Sequence, residues 1–229
     1  MRCLISILKE LQINYPSLNH KSYLESIKRF CEKNEFSMIL KGSLATGVAT
    51  KYSDIDLIIL GNITVAEIDE VITLYDKPIM TNFTENPKGI LILIYPDNIS
   101  VDLDIRETIS QEDLIGSKVL FKCDKNYIHS DEPIIRRQIT SDYIPHRPTW
   151  YKLLRLLHKG ILKYLSNKTD SAYNFLSEIK ENLIAVNINN LKFNGNFEHD
   201  IQCIFNEFCK RFEVDSQIKA LFYNLFKEF

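Results

Sequence analysis

The sequence of 229 residues predicts an α/β (α+β) fold through residue 130 and a helical bundle over 131–229. Three observations predict it. In the first part, short apolar runs of strand length alternate with amphipathic helical patterns. From about Pro133 the apolar residues recur at three- and four-residue spacing instead, and Pro145-His146-Arg147-Pro148 interrupts the pattern.

The elements follow in order. Residues 3–12 and 17–34 read as helices, the second with Tyr23, Leu24, Ile27, Phe30 and Cys31 on one face. Phe36 to Leu40 is a strand that delivers a Gly-Ser turn, with a short helix expected over Leu44 to Gly47. Asp56 to Leu60 is a second strand ending at Gly61, and Thr64 to Leu74 a helix capped by Thr64 or Asn62. Lys77 to Thr84 reads as a strand. Gly89 to Tyr95, the turn Pro96-Asp97-Asn98 and Ile99 to Ile105 form a hairpin. Its second strand alternates, with Val101, Leu103 and Ile105 on one face and Asp102 and Asp104 on the other. Val119 to Lys125 closes this part as a short strand and turn. Four helices are expected afterwards, over Trp150 to Leu165, Ser171 to Val186, Phe197 to Phe212 and Ile218 to Phe226.

Composition narrows the function. Hydrophobic residues make up 45% of the chain, enough for a proper core. The net charge of −2 lacks the basic bias of a general nucleic-acid binder, so nucleic acid is not the favoured partner. Five cysteines, Cys3, Cys31, Cys123, Cys203 and Cys209, form no CxxC pair and read as reduced thiols of a cytoplasmic protein. The apolar run Cys3 to Leu8 is too short and too quickly charged for a signal peptide or a membrane span.

Residues 42 to 57, Gly-Ser-Leu-Ala-Thr-Gly-Val-Ala-Thr-Lys-Tyr-Ser-Asp-Ile-Asp-Leu, carry the chemistry. Asp54 and Asp56 stand two positions apart at a strand and share a face, while Ile55 and Leu57 point into a core. Two carboxylates about 4 Å apart repel by roughly 4 kcal/mol at an effective dielectric near 20. A divalent metal is the simplest counter-charge. Gly42 lets the backbone approach a ligand closely, and Ser43 with the amides after it offers donors to phosphate oxygens. Mg²⁺ favours such a set of carboxylates plus substrate phosphates.

Gly42-Ser43, the spacer and Asp54-Ile55-Asp56 resemble the signature of the nucleotidyltransferase superfamily that includes DNA polymerase beta. The fuller stretch GSLATGVATKYSDIDLIIL is most similar to the small bacterial branch with the aminoglycoside and lincosamide adenylyltransferases. The resemblance implies a mixed-sheet core, a C-terminal helical domain that binds the acceptor, and Mg²⁺ held by Asp54, Asp56 and a third acid. That third acid falls on Asp102. Asp104, on the same face, is a candidate general base or a solvated strand residue. Gly42 and Ser43 would fix the triphosphate, ATP by default, while a hydroxyl of a small molecule takes the nucleoside monophosphate and pyrophosphate leaves. Superfamily members also reach the triphosphate with basic residues of the second domain; Lys152, Arg155 and Lys159 share a helical face there. The alternatives are a toxin-type enzyme modifying transfer RNA or a protein, and a nucleotide-binding protein without catalysis. Oligomeric state is left open.

Overall fold

A computed structural model describes residues 13–85, 88–130 and 146–229. The helix expected over 3–12 and the junction near Pro133 lie outside the described residues. The described residues form two compact units, one from 13–95 and 99–130, the other from 96–98 and 146–229.

The first unit is built on a six-stranded mixed sheet in the order β3-β4-β5-β2-β1-β6. Helix α1 (Leu18–Lys33) leads into β1 (Ser37–Lys41). A five-residue helix α2 (Gly42–Thr46) follows at once, then β2 (Ile55–Leu60) and α3 (Val65–Thr73). Strands β3 (Met80–Glu85), β4 (Lys88–Ile94) and β5 (Ser100–Arg106) form a meander. A four-residue helix α4 (Gln111–Leu114) and β6 (Lys118–Phe121) complete the unit. Of the pairings between these six strands, β2 with β5 alone is parallel. The two strands are joined by a crossover that includes α3 and the β3–β4 hairpin, because parallel neighbours need a long connection.

Local chemistry explains the helix starts. The Ser17 hydroxyl accepts from the His20 N–H and begins α1. Thr64 and Glu67 cap α3 reciprocally, so Thr64, not Asn62, is the cap. The short helix after β1 starts two residues earlier than the sequence predicts, at Gly42, and ends at Gly47 in the left-handed conformation. Helix α4 was not predicted, although Ser110 and Asp113 form a capping box three residues apart.

Period-two alternation divides the sheet. One face carries Met38, Leu40, Ile55, Leu57, Leu91, Leu93, Val101, Leu103 and Ile105 against Tyr23, Leu24, Ile27 and Phe30 of α1 and Ile68 and Val71 of α3. The opposite face is divided in two. Ile39, Ile58 and Leu60 pack with Ile109 and Leu114 in a small apolar cluster. Elsewhere that face carries the charged Lys41, Asp56, Asp102, Asp104 and Arg106, with apolar Ile92 and Ile94 of β4 beside them.

The second unit contains α5 (Thr149–Leu165), α6 (Thr169–Asn182), α7 (Phe197–Arg211) and α8 (Ser216–Phe226). Its core is aromatic: Phe205 stacks on Phe222 at 4.4 Å and Tyr164 on Phe197 at 4.4 Å between ring centroids. Trp150 stacks on Phe212, and His158 is buried against Phe222. Both serve packing within this unit. Lys152, Arg155 and Lys159 are half-buried along α5. Asp200, fully buried, accepts from Lys180 Nζ at 2.6 Å and from the Asn194 N–H at 3.0 Å, which ties the loop before α7 to α6. Among the described residues no helix is long and apolar enough to cross a membrane.

Leu103 lies at the centre of the larger core and is fully buried. Leu103→Ala is expected to cost about 2–5 kcal/mol in urea-unfolding free energy. A loss below about 1 kcal/mol would contradict the packing of that face.

Candidate active site

The register of the central strands places the acids. Asp56 lies opposite Asp102 across the parallel β2–β5 pair, and Lys41 lies opposite Asp56 across the antiparallel β1–β2 pair. Paired residues point to the same face, so Asp102, Asp56 and Lys41 form one row across three strands. Asp54, just before β2, joins them. One carboxylate oxygen from each of Asp54, Asp56 and Asp102 lies within 4.8 Å of the other two. All three residues are half-buried.

Two full charges 4.8 Å apart repel by about 1 kcal/mol in bulk water and about 3.5 kcal/mol at an effective dielectric near 20. Half-buried groups fall between these limits. Three hard oxygen donors at this spacing, reachable from solvent, fit a divalent cation such as Mg²⁺, which uses few protein carboxylates and completes its shell with water and phosphate.

Gly42 sets the edge of the site. Its φ is +66°, and a Cβ there would collide with Asp56 Oδ2. Only glycine lets the strand-to-helix corner come this close to the carboxylate. Ser43 follows, half-buried, in the first turn of α2, where backbone N–H groups lack helical partners. The spacer before Asp54 is itself folded: the Thr50 N–H donates to Ser53 Oγ at 2.9 Å and the Ser53 N–H to the Thr50 carbonyl at 3.0 Å. Buried His20 reaches this loop from α1. Its Nε2 bonds the Ser53 carbonyl at 3.0 Å, which requires a proton on that nitrogen, and its Nδ1 lies 2.7 Å from Ser17 Oγ. The loop that presents Asp54 is therefore anchored to the start of α1.

Asp104 lies on the face predicted for it, but it is buried and paired. Arg106 Nε and Nη2 approach its Oδ2 at 2.8 and 2.7 Å. It is therefore no solvated strand residue. Arg106 Nη1 also donates to Asp113 Oδ2 at 2.6 Å, and Lys41 Nζ donates to Asp113 Oδ1 at 2.9 Å. The sequence reading missed Lys41, Arg106, Asp113 and His20. Arg106 extends the alternation of Asp102 and Asp104 by one step, and the Ser110-to-Asp113 spacing is a helix-start signal. Lys41 and His20 carried no local signal, because strand register and helix placement bring them here. Burial alone would raise the pKa of Asp113. Hydrogen bonds from Lys41 and Ser110 and the Arg106 charge outweigh it and hold this carboxyl well below the usual range. For Arg106, burial pulls the pKa down and the Asp104 and Asp113 partners more than restore it.

Lys41, Gly42, Asp56, Asp102, Asp104 and Arg106 line one pocket of about 370 Å³, within the size range of small-molecule sites.

With this geometry in place, the family comparison is specific. Residues 24–117 match the family model of the nucleotidyltransferase domain. The matched segment runs from within α1 to the residue before β6 and contains Gly42, Ser43, Asp54, Asp56, Asp102 and Asp104. The match, which covers less than half of the chain, gives this segment a nucleotidyltransferase domain and supports an enzyme that transfers a nucleotidyl group from a nucleoside triphosphate. No curated protein and no solved structure matches the chain.

The Asp113 network generates a pH prediction. A carboxyl whose pKa is depressed in the folded state stabilises it fully at neutral pH. That contribution falls as pH drops through the ordinary value of 3.8 and vanishes once the folded carboxyl protonates. Asp113→Asn is expected to lose about 1.5–3 kcal/mol at pH 7. In urea melts the gap from the unmodified protein should narrow as pH falls below 4; a pH-independent gap contradicts the account. Gly42→Ala should displace Asp56, and divalent-metal affinity measured by calorimetry should fall at least about tenfold.

Proposed function

We propose that this protein is a magnesium-dependent adenylyltransferase that moves AMP from ATP to a hydroxyl of a small molecule of the aminoglycoside type, releasing pyrophosphate. The observation that carries the reading is the convergence of Asp54, Asp56 and Asp102 beside the Gly42 corner. The resemblance of residues 42–60 to the antibiotic adenylyltransferases supports the acceptor class, and so does the net charge of −2, which does not favour a polyanionic acceptor.

In the proposed reaction Asp54, Asp56 and Asp102 hold Mg²⁺, and Gly42 and Ser43 present backbone N–H groups and a hydroxyl to the phosphates. The bound metal offsets phosphate charge and stabilises attacking and leaving oxygens. The acceptor oxygen bonds to the α-phosphorus as the bond to the bridging oxygen of the β-phosphate breaks. Pyrophosphate leaves, and a carboxylate takes the hydroxyl proton. Asp104 is proposed for that step; its pairing with Arg106 offers a second role, holding the guanidinium in the pocket wall. The pH–rate profile of Asp104→Asn separates the two. Loss of the acidic limb marks a base, and an unchanged limb with raised KM marks a holder. The helical domain of residues 131–229 is proposed to select the acceptor. The protein is proposed to act in the cytoplasm.

The test is pyrophosphate release from ATP, GTP, CTP and UTP with Mg²⁺, offered aminoglycosides, lincosamides or bulk transfer RNA. Release that requires ATP and one small acceptor is expected. Release only with RNA would replace the proposal by a toxin-type activity, and nucleotide binding without turnover on any acceptor would replace it by a binding role. Asp54→Asn and Asp56→Asn should each abolish turnover, by about a thousandfold or more. Their melting temperatures should stay level or rise, since each removes one repelling charge. A fall of several degrees would contradict the electrostatic account.

A further inference from the structure

Lys41 is the one basic residue in the row that carries Asp102 and Asp56, and it stands at the end next to Gly42. Adjacent strands lie about 4.8 Å apart, so its Cα is roughly 10 Å from that of Asp102, across the row. A triphosphate held near Asp56 and Asp102 that extends toward the Gly42 corner passes over the Lys41 side chain. Lys41 also lines the pocket itself.

The charges around it are unequal in exposure. Arg106, Asp104 and Asp113 are almost fully buried, with side-chain exposures of 7–9%. The Lys41 side chain is 34% exposed. Asp113 Oδ1 takes one of its three N–H donors. Should Lys41 turn toward a ligand, Asp113 would keep Arg106 Nη1 at 2.6 Å and the Ser110 hydroxyl at 2.8 Å on its other oxygen. Asp104, Asp113 and Arg106 together carry one net negative charge, which draws the ammonium to the pocket wall, while the contacts to Arg106 and Ser110 keep Asp113 hydrogen-bonded when Lys41 turns.

From this arrangement we infer that Lys41 is a substrate-binding residue that contacts the β- or γ-phosphate of the nucleotide, and afterwards the pyrophosphate that leaves. Asp113 and Arg106 are positioning residues that aim it. The inference rests on the nucleotidyl-transfer reading and adds to it a cation from the same unit as the acids. An ammonium is a point charge that follows a phosphate as it departs, whereas a bidentate guanidinium would fix one orientation.

Calorimetric titration of the full chain with ATP, AMP and pyrophosphate, each in the presence of Mg²⁺, tests it. Lys41→Met keeps the aliphatic stem and removes the charge. It is expected to weaken ATP and pyrophosphate binding by about tenfold or more, the range of a charge-assisted hydrogen bond, and to leave AMP within about twofold. Lys41→Arg should recover part of the loss. Asp113→Asn should weaken pyrophosphate binding less than Lys41→Met does. Unchanged ATP and pyrophosphate affinity in Lys41→Met overturns the inference alone, and so does an equal loss for AMP. Failure of the unmodified protein to bind ATP or pyrophosphate overturns the nucleotidyl-transfer reading with it. Should a thermal melt show Lys41→Met unfolded, Lys41→Gln decides by the same comparison.

Discussion

The in-register parallel pairing of β2 with β5 is the constraint on which the rest of the site depends. It sets Asp56 directly beside Asp102 and, with Asp54 at the mouth of β2, gathers three like charges on one patch of the sheet. Nothing in folding favours this patch for its own sake. It is tolerated because Ile55, Leu57, Val101 and Leu103, which alternate with the acids along the same strands, are buried on the opposite face under α1 and α3. A slip of one residue would exchange the two faces and bury the carboxylates in that core. The hydrophobic pattern that stabilises the unit thus also locks the acids in place.

The neighbouring charges show how far that device extends. One row beyond the triad, Asp104 sits beside Ile58, with apolar Ile39 on the next strand, and its charge is met by Arg106 from its own strand. Arg106 also pairs with Asp113, which α4 lays over this end of the sheet and whose added charge Lys41 meets. Helix α4 is no idle connector, because its Asp113 binds both Arg106 and Lys41. Its capping box uses the same carboxylate that receives Arg106 and Lys41. A helix cap, an ion-pair network and a wall of the pocket are one set of contacts. Lys41 is the most exposed of its charged members, which makes it the one that can turn to a ligand.

The anchoring of the Asp54 loop has a similar logic. Ten residues separate Ser43 from Asp54, and a loose spacer would leave Asp54 unable to hold position against two repelling neighbours. The Thr50–Ser53 turn and the His20 bridge from α1 remove that freedom. The cost of preorganising the acids is met by buried hydrogen bonds some distance from the chemistry.

Much of this was legible in the chain. Period-two alternation in Ser100 to Arg106 and the Asp-X-Asp step assigned Asp54, Asp56, Asp102 and Asp104 to the correct faces, because a strand's side-chain direction is a local property. Gly42 was legible as a close-approach point, and the hairpin over residues 89–105 and the helices of the second unit were legible from spacing. Helix α4 escaped notice because four residues are too few to show a period. What tertiary structure decided was which rows face each other. The β1–β2 register, set by core packing at distant positions, brought Lys41 level with Asp56. The crossover from β2 to β5 made Asp102 the neighbour of Asp56, and packing at this end of the sheet buried the Asp104–Arg106 pair, with Asp113 of α4 on the guanidinium. The sequence by itself determined the chemistry available and the face it occupies. The pairing of strands determined which charges meet, because that depends on contacts between residues far apart in the chain.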